Sequence, residues 1–485
     1  MIHVQLILIY CSLSVIPNTN IVIMAQRSNS IDILDLQDIK TPFGVPLSGI
    51  YKRSFAYITI KDRLPVILTK IIDVLSRNKE EIAEKYGQNA TEEIKLMTGF
   101  ISKLKNEITT NKTIKPLKVL PNVTDNDAAE WNKYLEKRTE IEGGTPTWFN
   151  TTWLYCECYM YRILAQEFTS MEYLCKYDPF QLQKQNAFVQ SLSSIEALSA
   201  HMMTLIRAPS LSIVETKNEL IKFLKLNLWG NKCDLSLSAG AEVSQSANPI
   251  EILQSLDKCI LCDDSDSVWD ALRKKGSNDT DIVDIVLDNA GYELFTDLCL
   301  AIFLTTQKLV EKVRFYVKHY PWYVSDTTNN DFHWTLEYMN NSTNNDLKEL
   351  AKLSYSFLKD NVWTVEDELY WTGPYDFAEM KERDRSLYAK LSDAKLVIFK
   401  GDLNYRKLLG DINWQYTTEF ATSLRGFHPT NILSLRTVKS DVCVGLAPGM
   451  AEKLFETSED WMFTGEYGLI QTTMSRTCQC SNNIC

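Results

Sequence analysis

The stretch Asp281-Ile-Val-Asp-Ile-Val-Leu-Asp-Asn-Ala-Gly291 decides the fold. Its β-branched and aliphatic run is of strand length and stops abruptly in Asp288-Asn289-Ala-Gly291, a cluster that favours turns and helix N-caps. An amphipathic helical pattern then runs from Tyr292 to about Val313. The same order of short apolar run, polar cluster and helix recurs downstream. Val313-Arg-Phe-Tyr-Val-Lys318 has Asp326 beyond it, Ala394-Lys-Leu-Val-Ile-Phe399 leads into Gly401-Asp402, and Ile432-Leu-Ser-Leu435 leads into Arg436-Thr-Val-Lys439. Strands alternating with helices imply βαβ units and a mostly parallel sheet. Ligands of such sheets bind outside the carboxyl ends of the strands, near a topological switch point. Every polar cluster quoted above occupies such an end.

Upstream the period changes. Leu64, Ile67, Leu68, Ile71, Ile72 and Leu75 recur at helical spacing, and the pattern returns in Trp153 to Phe168 and Ser191 to Ile206. The expected architecture is therefore α/β. An N-terminal helical domain, 50–225, packs on a C-terminal α/β/α sandwich, 226–475, with a mostly parallel, Rossmann-like sheet. An extension, 1–49, precedes them and a Cys-bearing tail, 476–485, follows. Ser236 to Asn248 and Lys274 to Thr280 read as surface loops.

A net charge of −11 over 485 residues argues against a general nucleic-acid binder, whose affinity rests on clustered Lys and Arg. Twelve cysteines scattered along a chain this long read as mostly buried thiols rather than a disulfide framework. Cys259-Ile-Leu-Cys262 has zinc-ligand spacing without a second pair at finger-like distance. The apolar run Val4 to Ile16 is of signal-peptide length, but no Lys or Arg precedes it, and Pro17-Asn-Thr-Asn20 cuts it short of a membrane span. Met24 opens an ordinary cytosolic start, which favours a cytoplasmic or nuclear protein over a secreted one. Sequons at Asn122 and Asn150 are expected by chance in an Asn- and Thr-rich chain.

Three features carry chemistry. Asp288, Asn289 and Asp326 offer hard oxygen ligands from neighbouring loops and suit Mg²⁺ or Mn²⁺, although a plain turn and N-cap also explains Asp288-Asn289. Asp402-Leu403-Asn404-Tyr405-Arg406 follows a strand end where a helix N-terminus presents N–H groups to an anion, with Arg406 able to grip a phosphate in two places. Lys439 adds a point charge, although a capped helix with a solvated Arg406 and a surface Lys439 also explain these residues. Acidic metal ligands beside an anion-binding helix terminus and two cations, at one edge of one sheet, are the equipment for phosphate-ester hydrolysis. Glu157 and Arg162, on one predicted helix, are expected to pair with each other. The sequence contains no P-loop, G-x-G-x-x-G or G-x-S-x-G, and Ala290 breaks an Asp-x-Asp signature.

These residues resemble the damage-control phosphatases, in the sugar-phosphate branch also described as acidic-residue (protein-glutamate) methyltransferases. The resembling text includes Ser54 to Pro65, Trp153 to Arg162, Leu228 to Ser236, Ile285 to Asn289, Pro321 to Thr328, Phe399 to Lys407 and Arg436-Thr-Val-Lys439, and it extends from about 50 to 472. The resemblance implies a divalent metal, Mn²⁺ or Ni²⁺ with Co²⁺ or Mg²⁺ as substitutes, on Asp288, Asn289 and Asp326. It implies a phosphosugar substrate on Asp288, Asn289, the segment Asp402 to Arg406, and Lys439. Under the methyltransferase description, Glu293 and Asp326 would touch S-adenosylmethionine and the substrate would be an acidic protein. The expected activity is hydrolysis of hexose phosphates such as fructose 1-phosphate and fructose 6-phosphate. Asp288 and Asp402 are the candidate catalytic residues. Asp288 attacks phosphorus itself or leaves the attack to water, and Asp402 protonates the leaving oxygen or orients sugar hydroxyls. A silent binding scaffold is the third class, disfavoured by the intact ligand set.

Overall fold

The computed structural model describes residues 36–119, 127–230, 249–273 and 281–474. The run Val4 to Ile16, Met24, the sequon at Asn122, the loops 236–248 and 274–280, the Leu228-to-Ser236 motif beyond Gly230, and the cysteines at 478, 480 and 485 lie outside the described residues.

Among the described residues the strands are β1 (Ile260–Asp263), β2 (Ile282–Val286), β3 (Lys312–Val317), β4 (Trp363–Asp367), β5 (Leu396–Lys400), β6 (Ile432–Thr437) and β7 (Gly468–Thr473). They form one sheet in the order β1-β7-β6-β5-β2-β3-β4, parallel except where β7 runs antiparallel to β6. From β2 the chain moves outward through β3 to β4, then returns to the other side of β2 for β5 and moves outward again through β6. The direction of winding therefore reverses between β2 and β5, and that reversal opens a crevice at their carboxyl ends. β2 and β5 are buried on both faces, as central parallel strands are.

Helices fill the chain ahead of the sheet, among them Leu64–Arg77, Ala90–Thr109, Ala128–Glu142, Trp153–Thr169, Leu192–Arg207 and Ile213–Leu228. No described helix is long and apolar enough to cross a membrane. Trp153–Thr169 is buried along most of its length, including Glu157 and Arg162, because it runs between the other helices and the loops of the sheet edge. Asp411, after β5, accepts from Leu154 N at 3.0 Å and so places a carboxylate on that helix's positive end.

Two expectations are corrected. The helix after β2 ends at Thr306, short of Val313, and it is not amphipathic: Tyr292 through Leu304 are all buried. It packs against Leu192–Arg207 and Ile213–Leu228 as well as β3, so no face is left for water. Sequence reading also passes over β1, β4 and β7, whose short runs mix polar and apolar residues in the manner of strands near a sheet margin.

Candidate active site

The loops after β2 and β3 are zipped together by backbone. Asn289 and Asp326 form a β-bridge, Thr327 N donates to Asp288 O at 2.7 Å, and Ala290 N donates to Ser325 O at 2.8 Å. Asp288, Asn289 and Asp326 thus meet although 38 residues separate the first from the last. Asn289 Nδ2 donates to Asp288 Oδ2 at 2.6 Å and to Glu293 Oε2 at 2.8 Å, while Ser325 Oγ donates to Asn289 Oδ1. Asp326 is 2% exposed and its Oδ2 has no hydrogen-bond partner; Lys318 Nζ lies 3.3 Å from it as an ion pair only. Burial, Glu293 and Asp326 push the Asp288 carboxyl well up. Burial raises Asp326 to about 6 against the pull of Lys318. Even with Lys318 beside Asp326, crowded and desolvated carboxylates favour further positive charge. The donor set of two carboxylates and an amide suits a hard divalent cation, even though no group of three or more His, Cys, Asp or Glu residues is arranged to hold a metal ion among the described residues.

Asp326 is held by strain. Tyr323 and Val324 both have positive φ, 41° and 70°, and a β-branched residue there is a true outlier. The Tyr323 hydroxyl donates to Glu157 Oε2 at 3.0 Å and its ring stacks on Tyr161, which keeps the turn bent. Val324→Gly is expected to hold or raise thermal stability, by up to about 1 kcal/mol, and to lower turnover by freeing the Asp326 loop. A melting curve beside an activity assay checks this, and unchanged turnover would remove the strain from the functional account.

The β5 end supplies the opposite wall. Gly401, at φ +80°, lets the backbone pass directly over Asp288: a Cβ there would lie 1.9 Å from Asp288 Oδ2. The helix Gly401–Leu409 that follows has no side-chain N-cap, so its first N–H groups stay available to an anion. Asp402 Oδ1 accepts from Arg436 Nε at 2.8 Å and from Ser440 Oγ at 3.1 Å, and no partner engages Oδ2 among the described residues. Burial opposes ionisation of Asp402, but the Arg436 and Arg406 guanidiniums and the hydrogen bonds hold its carboxyl below the usual carboxylate range. Arg436 is fully buried, bonded also to Val442 O and Ser440, and stacked on Tyr405. Lys439, three residues on, is half-buried. Among the described residues its ammonium has no ion pair or hydrogen bond, and its charge favours ionised Asp288. Sequence reading missed Gly401, Ser325, Arg436 and Ser440. Arg436 was signalled by the motif that ends in Lys439.

The segment Asp402 to Arg406 does not present five side chains to the edge. Leu403 and Tyr405 turn into the core, and Asn404 Nδ2 donates to Lys400 O at 2.8 Å. Arg406 is 2% exposed; it bonds Asp411 through Nε at 2.8 Å and Glu157 through Nη1 at 2.7 Å, and lies over the Trp153 ring. A run of about one and a half helical turns cannot aim every residue at one ligand. What reaches the edge is Asp402 and the helix terminus, with Arg406 as a buried strut. Glu157 and Arg162 do not pair with each other either, since five residues of helix leave them about 140° apart around the axis. Arg162 pairs instead with Asp127, Nε to Oδ1 at 2.8 Å. Glu293, 5% exposed, accepts from Asn289 and lies 3.2 Å from Lys400 Nζ, which also bonds Asp297 at 2.8 Å and Asn227 O at 2.9 Å. Both Glu293 oxygens are therefore engaged within the protein.

A family model for the damage-control phosphatase ARMT1-like domain matches residues 59–454. The chain is 40% identical over 435 residues to "Damage-control phosphatase ARMT1" of Danio rerio, covering 88% of this chain and 96% of that protein. It is 42% identical to the Mus musculus protein of the same name over 433 residues, and 41% identical to the Homo sapiens one over 435, each with 88% of this chain and 97% of the relative covered. Matches of this extent span both the helices that shape the crevice and the strands that carry its acidic and basic residues, and the chain belongs to the ARMT1-like damage-control phosphatase family.

Proposed function

We propose that this chain is a metal-dependent phosphatase of hexose phosphates, fructose 1-phosphate and fructose 6-phosphate among them, that clears reactive sugar phosphates. One observation carries the reading. At the crevice between β2 and β5, a pair of crowded buried carboxylates faces an uncapped helix terminus and a lysine that has no partner among the described residues. Family membership supports the phosphatase part of that reading.

Asp288, Asn289 and Asp326 would hold the metal. Bound there, Mn²⁺ or Ni²⁺, or Co²⁺ or Mg²⁺ in their place, would neutralise phosphoryl charge and polarise the bond to the leaving oxygen. The chain's own residues do the rest. Lys439 and the N–H groups of Gly401–Leu409 hold non-bridging oxygens. Asp402 stays ionised through the working pH range, so it is a poor proton donor; its free Oδ2 accepts from a sugar hydroxyl instead. Arg436 and Ser440 keep that oxygen aimed, and the buried Glu157–Arg406–Asp411 network ties the helix Trp153–Thr169 to the same edge. The methyl-transfer reading needs Glu293 and Asp326 for S-adenosylmethionine, and the commitment of Glu293 to Asn289 and Lys400 weighs against it.

Lys439→Met is expected to raise KM for a hexose phosphate by about 10- to 100-fold, the worth of one charge-assisted contact, with little change in stability. Steady-state phosphate release measures it, and an unchanged KM would take Lys439 out of the site. The decisive test uses metal-stripped protein and both fructose phosphates, with each cation added back. Metal-dependent release supports the proposal. No release from folded protein with any cation, together with labelled methyl transfer to glutamate side chains of an acidic protein, would replace it.

A further inference from the structure

Arg63 ends a one-turn π-helix, Thr59–Arg63, set between the helices Phe55–Ile58 and Leu64–Arg77. Such turns are rare and recur at functional sites, where they aim a side chain that a regular helix would point elsewhere. Arg63 is exposed, and among the described residues its guanidinium has no ion pair or hydrogen bond; it lies over the Phe55 ring, 4.9 Å from the centroid.

Phe55 is tied twice to the sheet side. Its N–H donates to Asp441 Oδ2 at 2.7 Å, and its ring stacks on Phe463 with centroids 4.8 Å apart. Asp441 stands two residues after Lys439. Gly465, two residues after Phe463, packs on the Lys439 side chain so closely that a Cβ there would lie 3.1 Å from Lys439 Cε. Two aromatic rings and a carboxylate thus tie the segment that carries Arg63 to the segment that carries Lys439, and neither cation has an ion pair or hydrogen bond among the described residues. The Arg63 charge also reaches inward. Burial, Glu157 and Asp326 push the Tyr161 hydroxyl up while Arg63 pulls it down, so one hydroxyl feels both Asp326 and Arg63.

We propose that Arg63 is a substrate-binding residue: it grips the oxygen-rich end of the sugar phosphate remote from the bond being broken, opposite Lys439, and so favours sugar phosphates over simple phosphate esters. The inference rests on the phosphatase reading. An unpaired, exposed guanidinium keeps its donors for acceptor oxygens that arrive with substrate. Its partners are lost when the substrate has no hydroxyls at that end.

The test compares wild type, Arg63→Met and Arg63→Lys on fructose 1-phosphate and on phenyl phosphate, with melting temperatures for all three. In Arg63→Met, KM for fructose 1-phosphate is expected to rise about tenfold with kcat held within about twofold, phenyl phosphate kinetics unchanged, and melting temperature unchanged. Arg63→Lys should recover part of the loss. An active wild type with Arg63→Met indistinguishable from it, or equally impaired on both esters, overturns the inference alone. A wild type that releases phosphate from neither ester overturns the phosphatase reading and this inference with it.

Discussion

Asp288→Ala is expected to lower metal-dependent phosphate release by at least about 1000-fold, roughly 4 kcal/mol of transition-state stabilisation, while the protein remains folded. The carboxylate sits where the β2 end, the Asp326 loop and the Gly401 turn converge, so no neighbouring side chain can stand in for it. Its removal should not unfold the chain. Asp288 is ionised only against burial and the charges of Glu293 and Asp326, so deleting it relieves repulsion in the metal-free protein. The melting temperature without metal is expected to stay level or rise. Adding Mn²⁺ should stabilise wild type by mass action and leave the mutant unmoved. A mutant that keeps metal-dependent turnover would show that the centre lies elsewhere.

Gly401→Ala is expected to be nearly as damaging to turnover, more than about 100-fold, and to reduce stability by about 2 to 4 kcal/mol. Two independent constraints meet at this position. Its φ of +80° is one that side chains rarely adopt, and a Cβ would fall 1.9 Å from Asp288 Oδ2 and 2.1 Å from Asp288 Cγ. Either the carboxylate swings away from Asn289 and Asp326, or the start of the helix Gly401–Leu409 shifts off the crevice. Gly426→Ala separates the two effects, because Gly426 has φ +90° with nothing within 4 Å of its Cβ position. That variant should lose about 1 to 2 kcal/mol through backbone strain and keep its turnover. Gly401→Ala with near-normal turnover would mean that the close approach to Asp288 has no functional weight.

Much of the fold was legible because its signals are local. Ile282 to Leu287 is too short and too branched for a helix, and Asp288-Asn289-Ala-Gly291 names its own turn. The same logic places β3, β5 and β6 within a residue or two of where they lie. It fails where local signals are diluted, as in Gly468–Thr473, and where a helix is buried on every side, as in Tyr292–Thr306, which shows no polar face to read.

For the candidate site, local pattern places Asp288, Asp326, Asp402 and Lys439 after strands, and therefore at one edge if those strands run parallel. Turn chemistry and strand period act over a few residues, so they survive without tertiary context. Which charges are free to act is settled by packing across the fold. Arg406 is spent on Glu157, 249 residues away, and on Asp411; Arg436 is spent on Asp402; Lys400 on Glu293 and Asp297; Lys439 alone of these four cations keeps an open ammonium among the described residues. A buried charge must find its partner in space, and distance along the chain does not report distance in the fold. The winding reversal between β2 and β5 is non-local for the same reason, and it is what turns four separate strand ends into one crevice.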